Sequence, residues 1–174
     1  MIIDNTYFNN NILNLGPFEV SNSRSKAVED KSISINFSIA VYEPRYLKEI
    51  MGSELYAEYV TSESDDKWLV LIAKLRNEDT RRSPIANYVY FYHRRDNAIA
   101  SGDNGDYVAK ADNKQSVSIN QRMRTAWDDM VFQNEVLLKW IYDNIINSET
   151  PAIETTAEWD IVAWDRLLTE QGIL

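Results

Sequence analysis

The sequence predicts a mainly α fold, a single-domain helical bundle with a long helix in its C-terminal half. From Pro44 onward, apolar residues recur at helical spacing, and Gly and Pro stand only at the ends of these patterns or in the breaks between them. The length of 174 residues suits one domain. With 44% hydrophobic and 26% charged residues the composition is that of an ordinary globular protein, so a hydrophobic core is expected without disulfide or metal support.

The chain divides into an N-terminal arm or loop region, residues 1–31, and a helical domain, residues 32–174. The arm has little periodicity, and polar clusters and a Gly-Pro pair interrupt it, so we expect an extended segment with short ordered pieces. One interpretation is an arm that reaches a neighbouring subunit, with Tyr7 and Phe8 exposed for that contact. The alternative is a partly ordered terminus, which is commoner.

The segment before Pro44 fits two structures. Ile33, Ile35 and Phe37 alternate with smaller or polar residues, which is the period of a strand. Ile33, Phe37 and Val41 would also line one side of a helix. Pro44 favours the start of a new helix at that point, because proline is well placed in a first helical turn.

The first predicted helices are short. The helix that starts at Pro44 is expected to end at Gly52, which would act as a left-handed C-cap. Ser53 is expected to cap the next helix, since a serine side chain can accept a hydrogen bond from a free backbone N–H. The spacing of Trp68 and Leu75 predicts a further helix of about three turns.

The most buried helix is predicted to begin at Ser83-Pro84, an N-cap followed by proline at the first helical position. Residues 85–93 (IANYVYFYH) are apolar nearly all round, which is typical of a helix surrounded by others. Tyr88, Tyr90 and Tyr92 resemble a stacking ladder for single-stranded nucleic acid. Positions two apart on a helix point in nearly opposite directions, so packing in the core is the better interpretation.

The C-terminal half alternates between breaks and helices. Residues 101–115 are rich in turn residues and predict a loop, with a small β hairpin as the open alternative. Residues 118–146 keep one apolar stripe and predict a helix of about 40 Å at 1.5 Å rise per residue. Thr155 and Glu158 match a capping box and predict a terminal helix that ends at Gly172.

Composition excludes several kinds of site. The absence of cysteine excludes disulfides, thiolate nucleophiles and cysteine-based zinc sites. A formal charge of −9 argues against non-specific nucleic-acid binding, which depends on a positive surface. The residues after Met1 do not have the pattern of a signal peptide, and no apolar run approaches the roughly 20 residues of a membrane span, so we expect neither.

No residue pattern predicts catalysis. His93 is the only histidine, and no nucleophile or orienting acid stands at a recognisable distance from it, so a packing or surface role is expected. The 102–106 loop offers oxygens, but the twelfth residue from Asp103 is Lys114 rather than the glutamate of an EF-hand. We therefore expect a non-enzymatic protein with no cofactor, metal or small-molecule substrate.

Arginines flank the predicted central helix on both sides. Arg81 and Arg82 precede it, as does Arg76, while Arg94 and Arg95 end it. These side chains could form a basic patch that contacts DNA phosphates or an acidic partner. The favoured alternative is that they form ion pairs with nearby acids, namely Glu78, Asp79 and Asp96.

Three segments carry a resemblance to a known family. Residues 42–56 (YEPRYLKEIMGSELY) resemble a YEPxYLxxLLGxxLY signature. The two other segments are residues 83–92 (SPIANYVYFY) and residues 126–131 (AWDDMV), the last of which resembles an AWNxMV run. In this order the segments resemble a family of uncharacterised proteins from tailed phages and prophages of Bacteroidetes, whose members resemble head–tail connector (neck adaptor) proteins. Ile50-Met51 and Asp128-Asp129 depart from the family pattern.

The resemblance covers about residues 38–145 and implies a structural role. A connector of this kind would assemble into a homo-oligomeric ring and bind phage portal or tail proteins, in the virion and, during assembly, in the host cytoplasm. No specific nucleic-acid or membrane binding is implied. The alternatives are another tail or packaging-associated assembly protein and a helical DNA-binding or regulatory protein. For the ring contacts we expect exposed residues of the arm and of the 101–115 loop: Tyr7, Phe8, Asp103, Asp106 and Tyr107.

Overall fold

The structure is a computed structural model, and it describes residues 1–9, 13–15, 26–97, 99–102, 105–108, 119–160, 164 and 167–169. In these ranges the α-helices are α1 (Lys26–Met51), α2 (Ser53–Thr61), α3 (Leu69–Arg76), α4 (Pro84–Asp96) and α5 (Ile119–Ile141). Short 3-10 helices span Asn5–Phe8 and Asp66–Trp68, and a π-helix spans Tyr142–Ile146. The predicted mainly α class is confirmed.

Helix α4 forms the centre of the fold, as its apolar sequence predicts. The Ser83 hydroxyl accepts a hydrogen bond from the Ala86 N–H at 3.4 Å, and Pro84 occupies the first turn. Every residue of α4 from Pro84 to Tyr92 is buried. Helix α4 packs between α1 and α5, which accounts for a helix without a polar face.

Helix α1 corrects the prediction that a helix starts at Pro44. The helix runs without interruption from Lys26 to Met51, with Pro44 inside it. Proline has no N–H, so the carbonyl of Ala40 loses its helical hydrogen bond. Because Ala40 is exposed, water can satisfy that carbonyl, and the helix continues through the proline.

The buried face of α1 is also different from the helical face that the sequence suggested. Ile35 and Ile39 are completely buried against α4, and the hydroxyl-bearing Ser38 lies between them. Ile33, Phe37 and Val41 point to solvent instead. Both sets have helical spacing, so the apolar pattern of α1 surrounds more of the helix than one neighbour can cover.

The junction between α1 and α2 depends on Gly52. Its φ of +78° matches the expected positive φ, but with ψ at 168° it is the N-cap of α2, the position predicted for Ser53. A Cβ on Gly52 would lie 2.7 Å from the Asp160 Cβ, so this turn has neither the backbone freedom nor the space for a larger residue. The helix predicted around Trp68 and Leu75 is present, as the short α3 preceded by a 3-10 turn.

The C-terminal half contains one confirmed and one wrong prediction. Helix α5 and the π-helix that follows it give the predicted long helix, which ends at Ile146. The predicted capping box is wrong: Thr155 donates to the Ala157 carbonyl at 2.9 Å, and the described residues that follow, through Asp160, are not helical. Gly172 lies outside the described residues.

Glu58 of α2 binds the segment around Thr156. Its carboxylate accepts hydrogen bonds from the Thr156 N–H at 2.9 Å, the Thr156 hydroxyl at 2.7 Å and the Ala157 N–H at 3.1 Å. Lys67 donates to the other carboxylate oxygen at 2.8 Å. These contacts fix the segment on α2, while the Thr155 hydroxyl donates to a carbonyl instead of accepting from a backbone N–H as a capping box requires.

The described part of the N-terminal region packs on the helical domain. Ile2 and Ile3 are buried, and their backbone N–H groups donate to the Glu43 carboxylate at 2.8 and 3.0 Å. Glu43 is itself only 3% exposed. In the segment where the sequence predicts a loop, two strands, β1 (Ile99–Gly102) and β2 (Gly105–Val108), pair antiparallel.

Candidate interaction surfaces

The three segments that carry the family resemblance meet in one aromatic cluster. Tyr46 of the first segment lies 5.4 Å from Tyr88 of the second, between ring centroids. Tyr88 lies 6.3 Å from Trp127 of the third, and all three side chains are completely buried. Tyr46 also donates to Asn134 at 2.5 Å, which joins α1 to α5. These residues hold the domain together and are not available to a ligand.

Two of the residues proposed for ring contacts, Tyr7 and Phe8, are buried. The expectation that Tyr7 and Phe8 are exposed is wrong, because Tyr7 is 6% exposed and Phe8 is completely buried in the common core. The apolar character that suggested an interaction site thus serves to fix the arm on its own domain. Asp106 and Tyr107 lie on β2, and Asp103 lies outside the described residues.

The arginines do not form one patch. Arg81 and Arg82 precede α4, whereas Arg94 and Arg95 lie in its last turn, about 20 Å away at 1.5 Å rise per residue. Arg82 binds both carboxylate oxygens of Asp129 at 2.8 Å. The Arg95 guanidinium lies 3.2 Å from Asp96 and stacks over the Tyr92 ring at 4.4 Å.

The other three arginines contact the N-terminal region. Arg76 donates to the Ile2 carbonyl at 2.7 Å. Arg81 donates to the Thr6 hydroxyl and lies 5.8 Å from the centroid of the Tyr7 ring. Arg94 donates to the Asn14 carbonyl at 3.3 Å and lies over the Tyr90 ring.

Ion pairing, the favoured interpretation, holds for Arg95 with Asp96 and for Arg76 with Glu78 at 3.4 Å. The partner of Arg82 is Asp129 of α5 rather than an acid next to it in sequence.

His93 has a partner that the sequence did not indicate. Its Nδ1 lies 2.9 Å from the Ser38 hydroxyl, and it is half-buried. Burial lowers the pKa of His93, and the neighbouring Arg94 lowers it further, which favours the neutral ring. Ser38 also donates to the Ser34 carbonyl at 3.2 Å, a common arrangement for a serine inside a helix. The pair joins α1 to the end of α4 as a structural contact.

Helix α1 presents an unusual apolar surface. Ile33, Phe37 and Val41 are 62%, 70% and 45% exposed and follow one another at intervals of four residues. We call these three residues the α1 ridge. Side chains four apart lie in one row on a helix, so the ridge is continuous along about 12 Å. Single exposed apolar residues are ordinary, whereas a contiguous exposed apolar row is a candidate interaction surface.

A second apolar surface lies between α3 and α5. Leu69 of α3 and Phe132 and Val136 of α5 are all more than half exposed, and they line a groove with a cavity volume of about 840 Å³. Trp140 also lines the groove, and the Lys74 ammonium lies 5.6 Å from the centroid of the Trp140 ring. We call this feature the α3/α5 groove. Its size is within the range of pockets that bind ligands or peptide side chains.

The groove also contains an unsatisfied polar group. Both polar atoms of the Gln133 side chain are buried, and neither has a hydrogen-bond partner in the structure. Gln133 belongs to the lining of the groove. Buried amides nearly always have partners, so the unpartnered Gln133 side chain carries an energetic cost.

Other kinds of site are not found in the part of the chain that the structure describes. There, no three His, Asp or Glu side chains are arranged to hold a metal ion. Across the same residues no helix combines the length and the apolar character that crossing a membrane requires. No protein-family model, curated protein or solved structure matches this chain. The α1 ridge and the α3/α5 groove are the candidate interaction surfaces of the described residues.

Sequence reasoning missed both surfaces. The sequence gives the helical spacing of the ridge residues, but it does not show whether that side of α1 faces the core. The groove is lined by residues of α3 and α5, which are far apart in the chain. A usable signal was present in α1, since two different apolar rows on a single helix exceed what one neighbouring helix can bury.

Proposed function

We propose that this protein is a non-enzymatic structural component of a tailed phage or prophage virion, a head–tail connector that assembles as a ring and binds the portal or a tail protein. The α1 ridge is the observation that carries the proposal. An exposed apolar row is costly in water, and covering it with protein removes that cost. The proposed location is the virion, with assembly in the host cytoplasm.

The position of the family motifs supports the same proposal. Tyr46, Tyr88 and Trp127 stand in the three resembling segments, and they form the centre of the aromatic core. Motifs that build the core specify a fold and not a reaction, which suits a family of structural proteins. Another tail or packaging-associated assembly protein would have the same core, so the choice among assembly roles rests on the partner.

The DNA-binding alternative has less support. A phosphate-binding surface needs cations that converge on one face. Arg82 is engaged with Asp129 and Arg95 with Asp96, and the two pairs lie at opposite ends of α4. The net charge of −9 would further oppose an approach to DNA.

The test is the molar mass by light scattering of the purified chain, alone and mixed with the portal protein encoded in the same genome. The proposal predicts a ring, or a complex that forms on mixing. The matched variants are Phe37→Asp on the ridge and Val60→Asp on α2, which replace side chains of similar exposure. A chain that ignores the portal and remains monomeric would contradict the connector role.

A further inference from the structure

We infer that the α1 ridge of one copy of this chain docks into the α3/α5 groove of the next copy. The inference rests on the proposed function to the extent that it describes how a ring would be built. The contact itself is indicated by the spacing and the positions of the two surfaces. The occupant of the groove is thus a second copy of the same chain.

The two surfaces match in spacing. The ridge residues, Ile33, Phe37 and Val41, are separated by four residues each. The wall that α5 gives to the groove has Phe132, Val136 and Trp140, again four residues apart. Each row therefore extends over about 12 Å at 1.5 Å rise per residue. When rows of this kind from two helices interdigitate, they give the commonest class of helix packing, with axes about 50° apart.

The two surfaces lie at opposite ends of the domain. The ridge belongs to the part of α1 that contacts the C-terminal end of α4, where Ser38 meets His93. The groove includes Pro84, the first residue of α4. A ridge at one end and a groove at the other cannot satisfy each other within one molecule. They allow each copy to contact two neighbours through different surfaces, an arrangement that forms a ring when the rotation between successive copies closes.

Engineered cysteines can test the contact directly, because the chain has none of its own. Two single variants are made, Phe37→Cys on the ridge and Val136→Cys in the groove, and one carries a tag that changes its mass. Both positions are exposed, so the fold should tolerate the changes. The variants are oxidised separately and as an equimolar mixture, and the products are separated by mass under non-reducing conditions. Val60→Cys on α2, which is 53% exposed, is the matched control.

The inference predicts that the mixture of ridge and groove variants gives a disulfide-linked heterodimer, at least tenfold more than either variant alone or any mixture with the Val60→Cys control. A variant that carries both cysteines should give a ladder of dimers, trimers and larger products. Homodimers of Phe37→Cys alone would show that ridges pair with each other, and they would overturn the inference. Equal products with the control, or none, would overturn it too.

The failure of this inference and the failure of the connector role can be distinguished. If the heterodimer and the ladder form but the chain does not bind the portal, the contact stands and the connector role fails. If portal binding occurs without the ladder, the connector role stands, and the ridge contacts the portal rather than a second copy. In that case Phe37→Asp would abolish portal binding, whereas Val136→Asp would leave it unchanged.

Discussion

Helices α4 and α1 both have apolar side chains on more than one face, but they differ in how many of these faces are buried. In α4 all of these faces are buried, from Pro84 to Tyr92, because α1 and α5 cover it on two sides. In α1 only the row that includes Ile35 and Ile39 meets α4, and the α1 ridge is left in solvent. A helix with more apolar surface than one neighbouring helix can cover is therefore either a central helix or a helix that lacks a partner.

The largest effect on stability is expected in the core between these helices. Trp127 is completely buried and lies 4.7 Å from the Phe91 ring. Trp127→Ala should lower the free energy of unfolding by about 3–5 kcal/mol, because it leaves a large cavity. Phe132→Ala, on the same helix but 62% exposed, should change it by less than about 0.5 kcal/mol. Denaturant titration of both variants measures the contrast, and equal losses would contradict the described orientation of α5.

A smaller loss is expected from the polar link between α1 and α5. Asn134 is completely buried, accepts from the Tyr46 hydroxyl at 2.5 Å and donates to the Leu167 carbonyl at 3.1 Å. Asn134→Ala should cost about 2–3 kcal/mol, because two buried polar groups lose their partner. The control is Gln121→Ala on the exposed side of α5. Its expected loss of unfolding free energy is no more than a few tenths of the loss in Asn134→Ala.

The sequence predicted α4 and α5 well because their signals are local. Ser83 and Pro84 define the start of α4 by their own chemistry, and the stripe of α5 repeats over many turns. The environment of α1 could not be predicted, because Ile33 and Ile35 are equally apolar and the choice between their faces depends on where α4 lies. The Thr155 capping box failed for a similar reason. Its segment is bound by Glu58, about 100 residues away, and no local pattern reports such a contact.

Two glutamates should give opposite dependences of stability on pH. Hydrogen bonds from Lys67 and then Thr156 lower the pKa of Glu58 to about 2. Its stabilising contribution is therefore present above its ordinary pKa of 4.5 and is lost as the pH falls toward 2. Glu58→Gln should lower the free energy of unfolding by about 1 kcal/mol at neutral pH and flatten its acid dependence. Glu54→Gln, exposed on the same helix, is the control.

Glu43 should behave in the reverse sense. Burial raises its pKa, although the Ile3 and Ile2 N–H groups oppose the shift. A raised pKa in an acid means that its stabilising contribution is complete below pH 4.5 and is lost as the pH rises through the folded-state pKa. The difference in unfolding free energy between the wild type and Glu43→Gln should therefore shrink with rising pH in thermal or urea unfolding. A difference that grows with pH would contradict the burial of this carboxylate.

The smallest effect on stability is expected at the α1 ridge. Phe37→Asp should change the free energy of unfolding of the monomer by less than about 0.5 kcal/mol, because the side chain is already in solvent. The same result is expected for Val136→Asp in the groove. A large loss of stability in Phe37→Asp would mean that the outer face of α1 is buried. Helices α1 and α4 would then no longer differ in the burial of their apolar faces.

The most direct test of the central claim is the molar mass of these two variants alone and mixed. Phe37→Asp keeps an intact groove, and Val136→Asp keeps an intact ridge. The head-to-tail account predicts that, in sedimentation or light scattering, each variant alone has the chain's 20.2 kDa, while the mixture contains a complex of twice that mass that does not grow further. Two variants that stay monomeric when mixed, or that each still assemble alone, would contradict the account.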